Sequence, residues 1–531
     1  MALATLTGSR RVPTLILALV VLNASLTFEN LWPTPWVRLG SSISVELAAL
    51  LLIVCGVAWR IGQVSPNASR ALAGIWFLLV VGRYAQVTVP ALYGQEVNLY
   101  WDLRYVPDVI GMGVRVAPVW LVVLAAAAGG ISIALVLAVA LWAIRQVAWA
   151  AACRRARPVL VSVSGAVVLA FGAQSWSDRV PDVIASPVTQ TYARQFGLVA
   201  EALRPVEAIA DSPAMETSLA AVKEADVFLV FIEAYGAVSF DRPAFAERLV
   251  ASRSRLIADI HDTGREVVSA FVESPTFGGS SWLAHLSLMS GVEVRNQDTK
   301  SRLMAESRHT LVHVFRNHGY RTLALMPGLR HIWPEGAFYD FEEIYGATRL
   351  DYRGPEFGWF AVPDQFTLER LDRLEVRQTS RAPLFVFFPT ISTHFPFSPT
   401  PPYQPDWRRL DSAEPFDVPD LVSAYSEQPD WTDFGPGYAR ALSYDFASLG
   451  GYLRRHSARD LVMILIGDHQ PAAAVSGEGD PWDVPVHVVS SRANLIDRLE
   501  LRGFRRGLTP QRPRLTSMAG LLPILLNAFG G

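Results

Sequence analysis

A chain of 531 residues can hold one large domain and something besides it. A mean hydropathy of +0.24 is high for a soluble enzyme, and the excess lies at the front, while a net charge of −2 says nothing about partners. Both cysteines, Cys55 and Cys153, fall in that apolar first third, so the remainder is excluded from disulfide frameworks and thiol chemistry. Only Lys223 and Lys300 among the 47 basic residues are lysine, a bias read as genome-wide rather than functional.

Apolar segments recur at 12–29, 43–59, 71–91, 116–144 and 158–174. Each approaches or exceeds the roughly 20 residues an α-helix needs to cross a bilayer. The first is no signal peptide by this reading, because no small-residue cleavage site follows it. Arg10-Arg11, the Arg60 to Arg70 loop and the Arg145 to Arg157 stretch fall on one side, and the other loops carry Glu29, Glu96, Asp102 and Asp108. The positive-inside rule then puts the N-terminus in the cytoplasm, and five crossings put everything after residue 175 outside. The long fourth segment could instead be two short helices, which the arginines around 154 oppose. Arg83, inside the third span, is a functional candidate or a charge paired with the 92–114 loop. Residues 176–224 read as a helical linker, with periodicity around Tyr192 to Leu203 and again up to Val222.

From 225 to 531 strand-like runs at 226–233, 266–273, 320–326, 383–390, 460–467 and 484–490 alternate with helical patterns. The helices are expected at 242–262, 305–318, 363–378, 437–457 and 492–501, with a packed terminal helix from Met518 to Phe529. Such alternation predicts an α/β fold with a mostly parallel sheet flanked by helices. Ligands in such sheets sit beyond the carboxyl ends of the strands. Two continuous apolar runs end there in ionisable residues: Val227 to Ile232 in Glu233, and Leu461 to Gly467 in Asp468-His469. Together these supply oxygen and nitrogen ligands for a divalent metal.

The segment Ser274-Pro-Thr-Phe-Gly-Gly-Ser280-Ser281 follows a strand and opens a helix. A serine at a helix N-terminus can attack a phosphate or sulfate ester if a metal lowers its pKa. Taken alone, an ordinary serine N-cap is the simpler reading. His394, after an apolar strand, divides evenly between a structural and a proton-handling role. Residues 395–434, rich in Pro, Asp and aromatics including Tyr403, Trp407, Tyr425 and Trp431, read as a solvated insertion with an acceptor-selecting lid as the alternative. His487 reads as a core-facing sheet histidine before an extra ligand.

The ordered set Phe231-Ile-Glu233-Ala, Gly279-Ser-Ser281, Phe388-Pro-Thr-Ile-Ser-Thr-His394-Phe-Pro-Phe and Ile466-Gly-Asp468-His469 resembles the sulfatase-like branch of the alkaline phosphatase superfamily. Within it the chain looks most like membrane phosphotransferases of the lipoteichoic acid synthase type, whose five membrane spans also match. The resemblance implies Glu233, Ser281, Asp468 and His469 as ligands of one divalent ion, Mn²⁺ or Mg²⁺. It implies Ser281 or Ser280 as the nucleophile and His394 at the leaving oxygen. Trp333 matches a substrate-contacting tryptophan, but Pro334-Glu335 follows where the synthases carry an arginine, leaving Arg330-His331 as the nearby positive charge. Sulfatases carry Cys-x-Pro-Ser-Arg where this chain has Ser281-Trp-Leu-Ala-His285, which disfavours sulfate esters. The implied partners are a phospholipid donor and a glycan or lipid acceptor, with no nucleic acid. The implied place is the outer face of a bacterial-type cytoplasmic membrane.

Overall fold

The structure is a computed structural model that describes residues 11–530 except 32–33, 96, 105, 108–109, 112–113, 115–118, 177–182, 203–208, 331–332, 334, 359–360, 379, 431 and 478. It divides into two compact units, one of residues up to 92 and 96–205, the other of 93–95 and 206 onward.

In the first unit each expected apolar segment coincides with a helix: α1 (Arg11–Thr27), α2 (Val45–Ile61), α3 (Pro66–Tyr93), α4 (Val119–Ala152) and α5 (Arg157–Trp176). The fourth is one helix of 34 residues, not two short ones. Among the described residues three helices are long and apolar enough to span a bilayer, namely Pro66–Tyr93, Val119–Ala152 and Arg157–Gln174. The first two, of 17 residues each, fall short of the usual span. Arg83 is buried and donates to the Phe28 carbonyl at 3.0 Å and to Gln86 Oε1 at 3.5 Å, while Glu96 and Asp108 of the 92–114 loop lie outside the described residues. A sixth helix, α6 (Val188–Ala202), meets the first helical stretch of the linker.

The second stretch, up to Val222, is not helical. Residues 209–219 take no regular structure and 220–224 turn. Leu219 and Glu224 adopt positive φ, and Leu219 and Val222 bury themselves in the core, so the apolar spacing there marks anchors rather than a helix face.

The second unit is built on a nine-stranded sheet. Its strands are β1 (Asp226–Ile232), β2 (Glu266–Glu273), β3 (Arg321–Met326), β4 (Glu343–Gly346), β5 (Leu384–Pro389), β6 (Leu461–Gly467), β7 (Asp483–Ser490), β8 (Arg505–Arg506) and β9 (Thr516–Ser517). Spatially they run β8-β2-β7-β6-β1-β5-β3-β4, with β9 added to β2. The block β6-β1-β5-β3-β4 is parallel, while β7 runs antiparallel to both β6 and β2. Every residue of β1 and β6 is buried. Successive side chains of a strand point to opposite faces. Val227, Leu229 and Phe231 accordingly enter one core, with the terminal helix (Met518–Phe529) and the helix Ser281–Ser290. Phe228, Val230 and Ile232 enter the other, with helices Val250–Asp262 and Gly435–Arg455. Two-sided burial is why these strands read as unbroken apolar runs.

Three expected helices differ. The stretch 242–262 is broken at Leu249, and 305–318 shortens to Leu311–Asn317, which Thr310 caps, with a separate helix Gln297–Ala305 ahead of it. The stretch 363–378 passes from α-helix into a π-turn at Asp372. Residues 395–434 are not a solvated insertion: Phe397, Trp407, Leu410, Phe416 and Phe434 are buried in the second core. Tyr403 packs against that core and Tyr425 stacks on Phe357, while Trp431 lies outside the described residues.

Candidate metal centre and nucleophile

Register brings the site together. Ile232 of β1 stands opposite Gly467 of β6, and Phe231 opposite Pro389 of β5, so Glu233, Asp468 and Thr390 leave the sheet side by side. The Ala234 amide donates to Asp468 Oδ1 at 2.8 Å, and the Glu233 amide donates to Thr390 Oγ1 at 3.2 Å. The Ser274–Ser281 segment is fastened to the same edge: Ser274 Oγ donates to the Asp468 carbonyl at 2.5 Å, and the Gly278 amide to the Gln470 carbonyl at 3.1 Å.

Gly278, Gly279 and Ser280 all have positive φ, which turns the chain sharply into the helix Ser281–Ser290. For a serine, φ of 62° costs on the order of 1 kcal/mol, and such strain concentrates at functional sites. The Ser280 side chain caps nothing, so the ordinary N-cap reading is not realised. Ser281, the first residue of the helix, donates its hydroxyl to Glu233 Oε2 at 2.9 Å and lies 3.2 Å from His469 Nε2.

Glu233, Asp468 and His469 place one ligand atom each within 4.8 Å of one another, and all three are buried. His469 Nδ1 donates to the Gln470 carbonyl at 2.7 Å, which fixes the ring with Nε2 toward the carboxylates, 3.3 Å from Glu233 Oε1. Asp468 Oδ1 is satisfied by two amides, whereas Oδ2 is buried with no hydrogen-bond partner. A divalent cation satisfies such an orphaned oxygen, and two carboxylates with an imidazole suit Mn²⁺, Mg²⁺ or Zn²⁺. The residues therefore fit a divalent metal. Electrostatics agree. Burial and the adjacent Glu233 push the Asp468 carboxyl well above its ordinary range. Burial also raises Glu233, but hydrogen bonding and charge from His469 outweigh it and hold Glu233 low. Burial works against charge on His469, yet Asp468 and Glu233 carry it up to about 9.

His394 follows β5 and donates its amide to the Ile391 carbonyl at 3.0 Å, with Nδ1 2.7 Å from the Phe395 carbonyl. Its charge lowers Glu233, which puts it in electrostatic reach of the centre. His487 is engaged at both ring nitrogens, by Ser269 Oγ at 2.6 Å and Tyr235 Oη at 3.1 Å, and belongs to the core. Trp333 packs on the first core and against Tyr339, Arg330 is engaged, and His331 lies outside the described residues.

Sequence reasoning missed two groups near Ser281. Lys300 Nζ bonds Glu335 at 2.8 Å and lies 5.8 Å from the ring of Trp282, the neighbour of Ser281. His285, one turn below Ser281, lies between the rings of Phe231 and Phe387 with Nε2 unpartnered. The helical i, i+4 spacing of Ser281 and His285 was visible in the sequence; the Lys300 pairing was not, because it joins segments 35 residues apart.

The family comparison decides the setting. Residues 285–485 match the Sulfatase family model. That stretch of the chain is similar to sulfatases; it begins just after Ser281 and contains His394, Asp468 and His469. A search of curated proteins by sequence returns no match. Similar solved structures include an alkaline phosphatase superfamily protein from Vibrio parahaemolyticus, 16% identical over 62% of this chain and 73% of that one, TM-score 0.38. Lipoteichoic acid synthase LtaP from Listeria monocytogenes is 13% identical over 61% and 78%, TM-score 0.38. Phosphoglycerol transferase GacH from Streptococcus pyogenes is 12% identical over 59% and 86%, TM-score 0.36.

Proposed function

We propose that this protein is a membrane-anchored, metal-dependent phosphotransferase. It moves the headgroup of a phospholipid, phosphoglycerol-like in class, to a glycan or lipid acceptor through a covalent phosphodiester on Ser281. The observation that carries this reading is the Ser281 hydroxyl, 2.9 Å from Glu233 and 3.2 Å from His469, at the centre of three groups suited to one divalent ion. Glu233, Asp468, His469 and Ser281 would hold that ion, Mn²⁺ or Mg²⁺. Bound there it supplies a Lewis acid toward a phosphoryl oxygen and lowers the pKa of the serine hydroxyl.

The chain's own groups do the rest. Glu233 accepts the Ser281 proton along the existing hydrogen bond as Oγ attacks phosphorus. The new Oγ–P bond replaces the P–O bond to the lipid, whose oxygen leaves with a proton from His394. An acceptor hydroxyl then gives its proton to His394 and attacks phosphorus, and Ser281 recovers its proton from Glu233. Ser280, whose side chain faces no ligand group among its hydrogen bonds, serves the turn. Arg330, His331 and Trp333 would line the substrate side. Residues 1–175 would anchor the enzyme, 176–224 link it, and 225–531 catalyse outside the cytoplasmic membrane, with the N-terminus inside. The Sulfatase match favours a second reading, in which water discharges the same intermediate and the enzyme is a phosphodiesterase. A sulfatase is less favoured, because the helix opens Ser281-Trp-Leu-Ala-His285 without the cysteine.

The test is diacylglycerol release from labelled phospholipids by the full-length protein in detergent with Mn²⁺, with and without an added glycan. Lipid release with label moving to the glycan supports transfer. Cleavage of a soluble phosphodiester with no lipid released from any phospholipid would sink it.

A further inference from the structure

Asp364 opens the helix Asp364–Leu371, and Asp445 lies midway along Gly435–Arg455; each is 1% exposed. Asp364 accepts the Ile391 amide at 3.0 Å on both oxygens and the Ser392 amide at 2.7 Å, and its own amide faces Ser392 Oγ at 3.4 Å. Asp445 Oδ2 accepts from Thr393 Oγ1 at 3.5 Å, and Thr390 stands beside the same carboxyl and favours its charged form. No amide or hydroxyl donates to the buried Asp445 Oδ1, and the Asp364 and Asp445 carboxyls stand close enough to act on one another. None of these donors is a cation. Tyr444, on the same helix as Asp445, completes the surroundings, with its oxygen accepting the Gln365 amide at 3.2 Å.

The donors to the two acids fall on residues 390–393, the segment between β5 and His394. Thr390 is the link to the metal centre. Its amide donates to the Phe231 carbonyl at 2.8 Å, and its hydroxyl accepts the Glu233 amide at 3.2 Å. At the other end the His394 amide donates to the Ile391 carbonyl at 3.0 Å. The two acids therefore grip one short segment whose ends carry a metal-ligand backbone and an imidazole.

We infer that the Asp364–Asp445 pair is the positioning device of the site, holding residues 390–394 and, through Thr390, Glu233 in register with His394. The inference rests on the reading of Glu233 as a metal ligand and His394 as a proton carrier. Two touching carboxylates in a dry interior cannot both be charged, so the pair keeps one proton, with Asp445 donating to Asp364. Burial raises Asp364 to about 6 against the pull of its amide donors, and burial and Asp364 raise Asp445 further. The grip is present while that proton is held and is lost as pH rises and both acids ionise. Tyr444, its phenol raised by burial, stays neutral across that range.

The test uses the full-length protein with Asp364→Asn, Asp445→Asn, Thr390→Val and Thr390→Ser variants. Three quantities are read: Mn²⁺ affinity by calorimetry, kcat and KM for bis-p-nitrophenyl phosphate across pH, and amide hydrogen exchange over 386–397. Asp364→Asn sets an amide N–H₂ against the Ile391 amide, which in the wild type reaches both oxygens, and Mn²⁺ affinity and kcat fall about tenfold to hundredfold with KM little changed. Asp445→Asn keeps a neutral donor toward Asp364, so activity persists and the alkaline decline of the wild type disappears. Thr390→Val behaves like Asp364→Asn, and Thr390→Ser restores function. Wild-type affinity and exchange in Asp364→Asn, or an unmoved alkaline decline in Asp445→Asn, overturns the inference. A second bound ion lost in Asp445→Asn also overturns it, making the pair a cation site. A wild type that binds no Mn²⁺ defeats the metal reading instead, and hydrogen exchange still decides whether the pair holds the segment.

Discussion

Ser281 and Ser280 are adjacent in sequence and opposite in circumstance. Only Ser281 meets Glu233 and His469, whereas Ser280 sits at φ 62° in the turn. Ser281→Ala is expected to reduce turnover by about a thousandfold or more. Ser280→Gly should keep turnover and raise stability by about 0.5–1 kcal/mol, because glycine takes positive φ without strain. Thermal unfolding and turnover of both variants check this, and a dead Ser280→Gly beside an active Ser281→Ala would reverse the assignment. His469 carries a proton to about pH 9 in the metal-free protein. Metal ligation requires the neutral ring, so Mn²⁺ affinity should climb about tenfold per pH unit from neutrality toward 9, with proton release on binding. Calorimetry in buffers of different ionisation heats measures that release; heats independent of buffer would contradict it. Of this residue-level picture, the meeting of Glu233, Asp468 and His469 at one sheet edge was legible because buried strands end in them. Which serine faces them was not, since it depends on a backbone turn that neighbouring glycines permit but do not dictate.

The elements that place these residues are strand ends packed without spare room. A Cβ on Gly467, the last residue of β6, would fall 1.9 Å from the Tyr235 carbonyl oxygen. Gly467→Ala must separate the ends of β1 and β6, costing about 1–3 kcal/mol and moving Asp468 away from Glu233. Denaturant unfolding and Mn²⁺ affinity should fall together; a stable variant with unchanged affinity would show that the strand ends tolerate displacement. The six principal strands and their near-parallel arrangement were readable because two-sided burial leaves long β-rich apolar runs. The short strands Glu343–Gly346, Arg505–Arg506 and Thr516–Ser517 were not, since runs of two to four residues carry no period. Residues 395–434 misled for a different reason. Their prolines and acids imitate a solvated loop, while Trp407 and Phe416 contribute to the core by contacts that composition does not encode.

At the scale of the whole molecule, an apolar helical unit precedes a second unit that contains no cysteine and matches the Sulfatase family model over residues 285–485. That permits a clean test of orientation. With Cys55 and Cys153 replaced by alanine, a single cysteine at exposed Ser412 should react with a membrane-impermeant maleimide in intact cells or spheroplasts. Labelling only after the membrane is opened would place the domain in the cytoplasm and remove lipid headgroups of the outer face as donors. The helices were legible from hydropathy alone, although Arg11–Thr27 and Val45–Ile61 are shorter than a typical span. What no sequence pattern revealed were pairings between distant segments, Lys300 with Glu335 and Asp364 with Asp445. The central claim is a covalent headgroup on Ser281, and peptide mass spectrometry after rapid acid quenching of the full-length protein with phospholipid and Mn²⁺ tests it most directly. The predicted result is a phosphodiester adduct on Ser281 in the wild type, accumulating when acceptor is withheld and absent from Ser281→Ala. Headgroup release at the wild-type rate with Ser281 unmodified, or persisting in Ser281→Ala, would contradict the account.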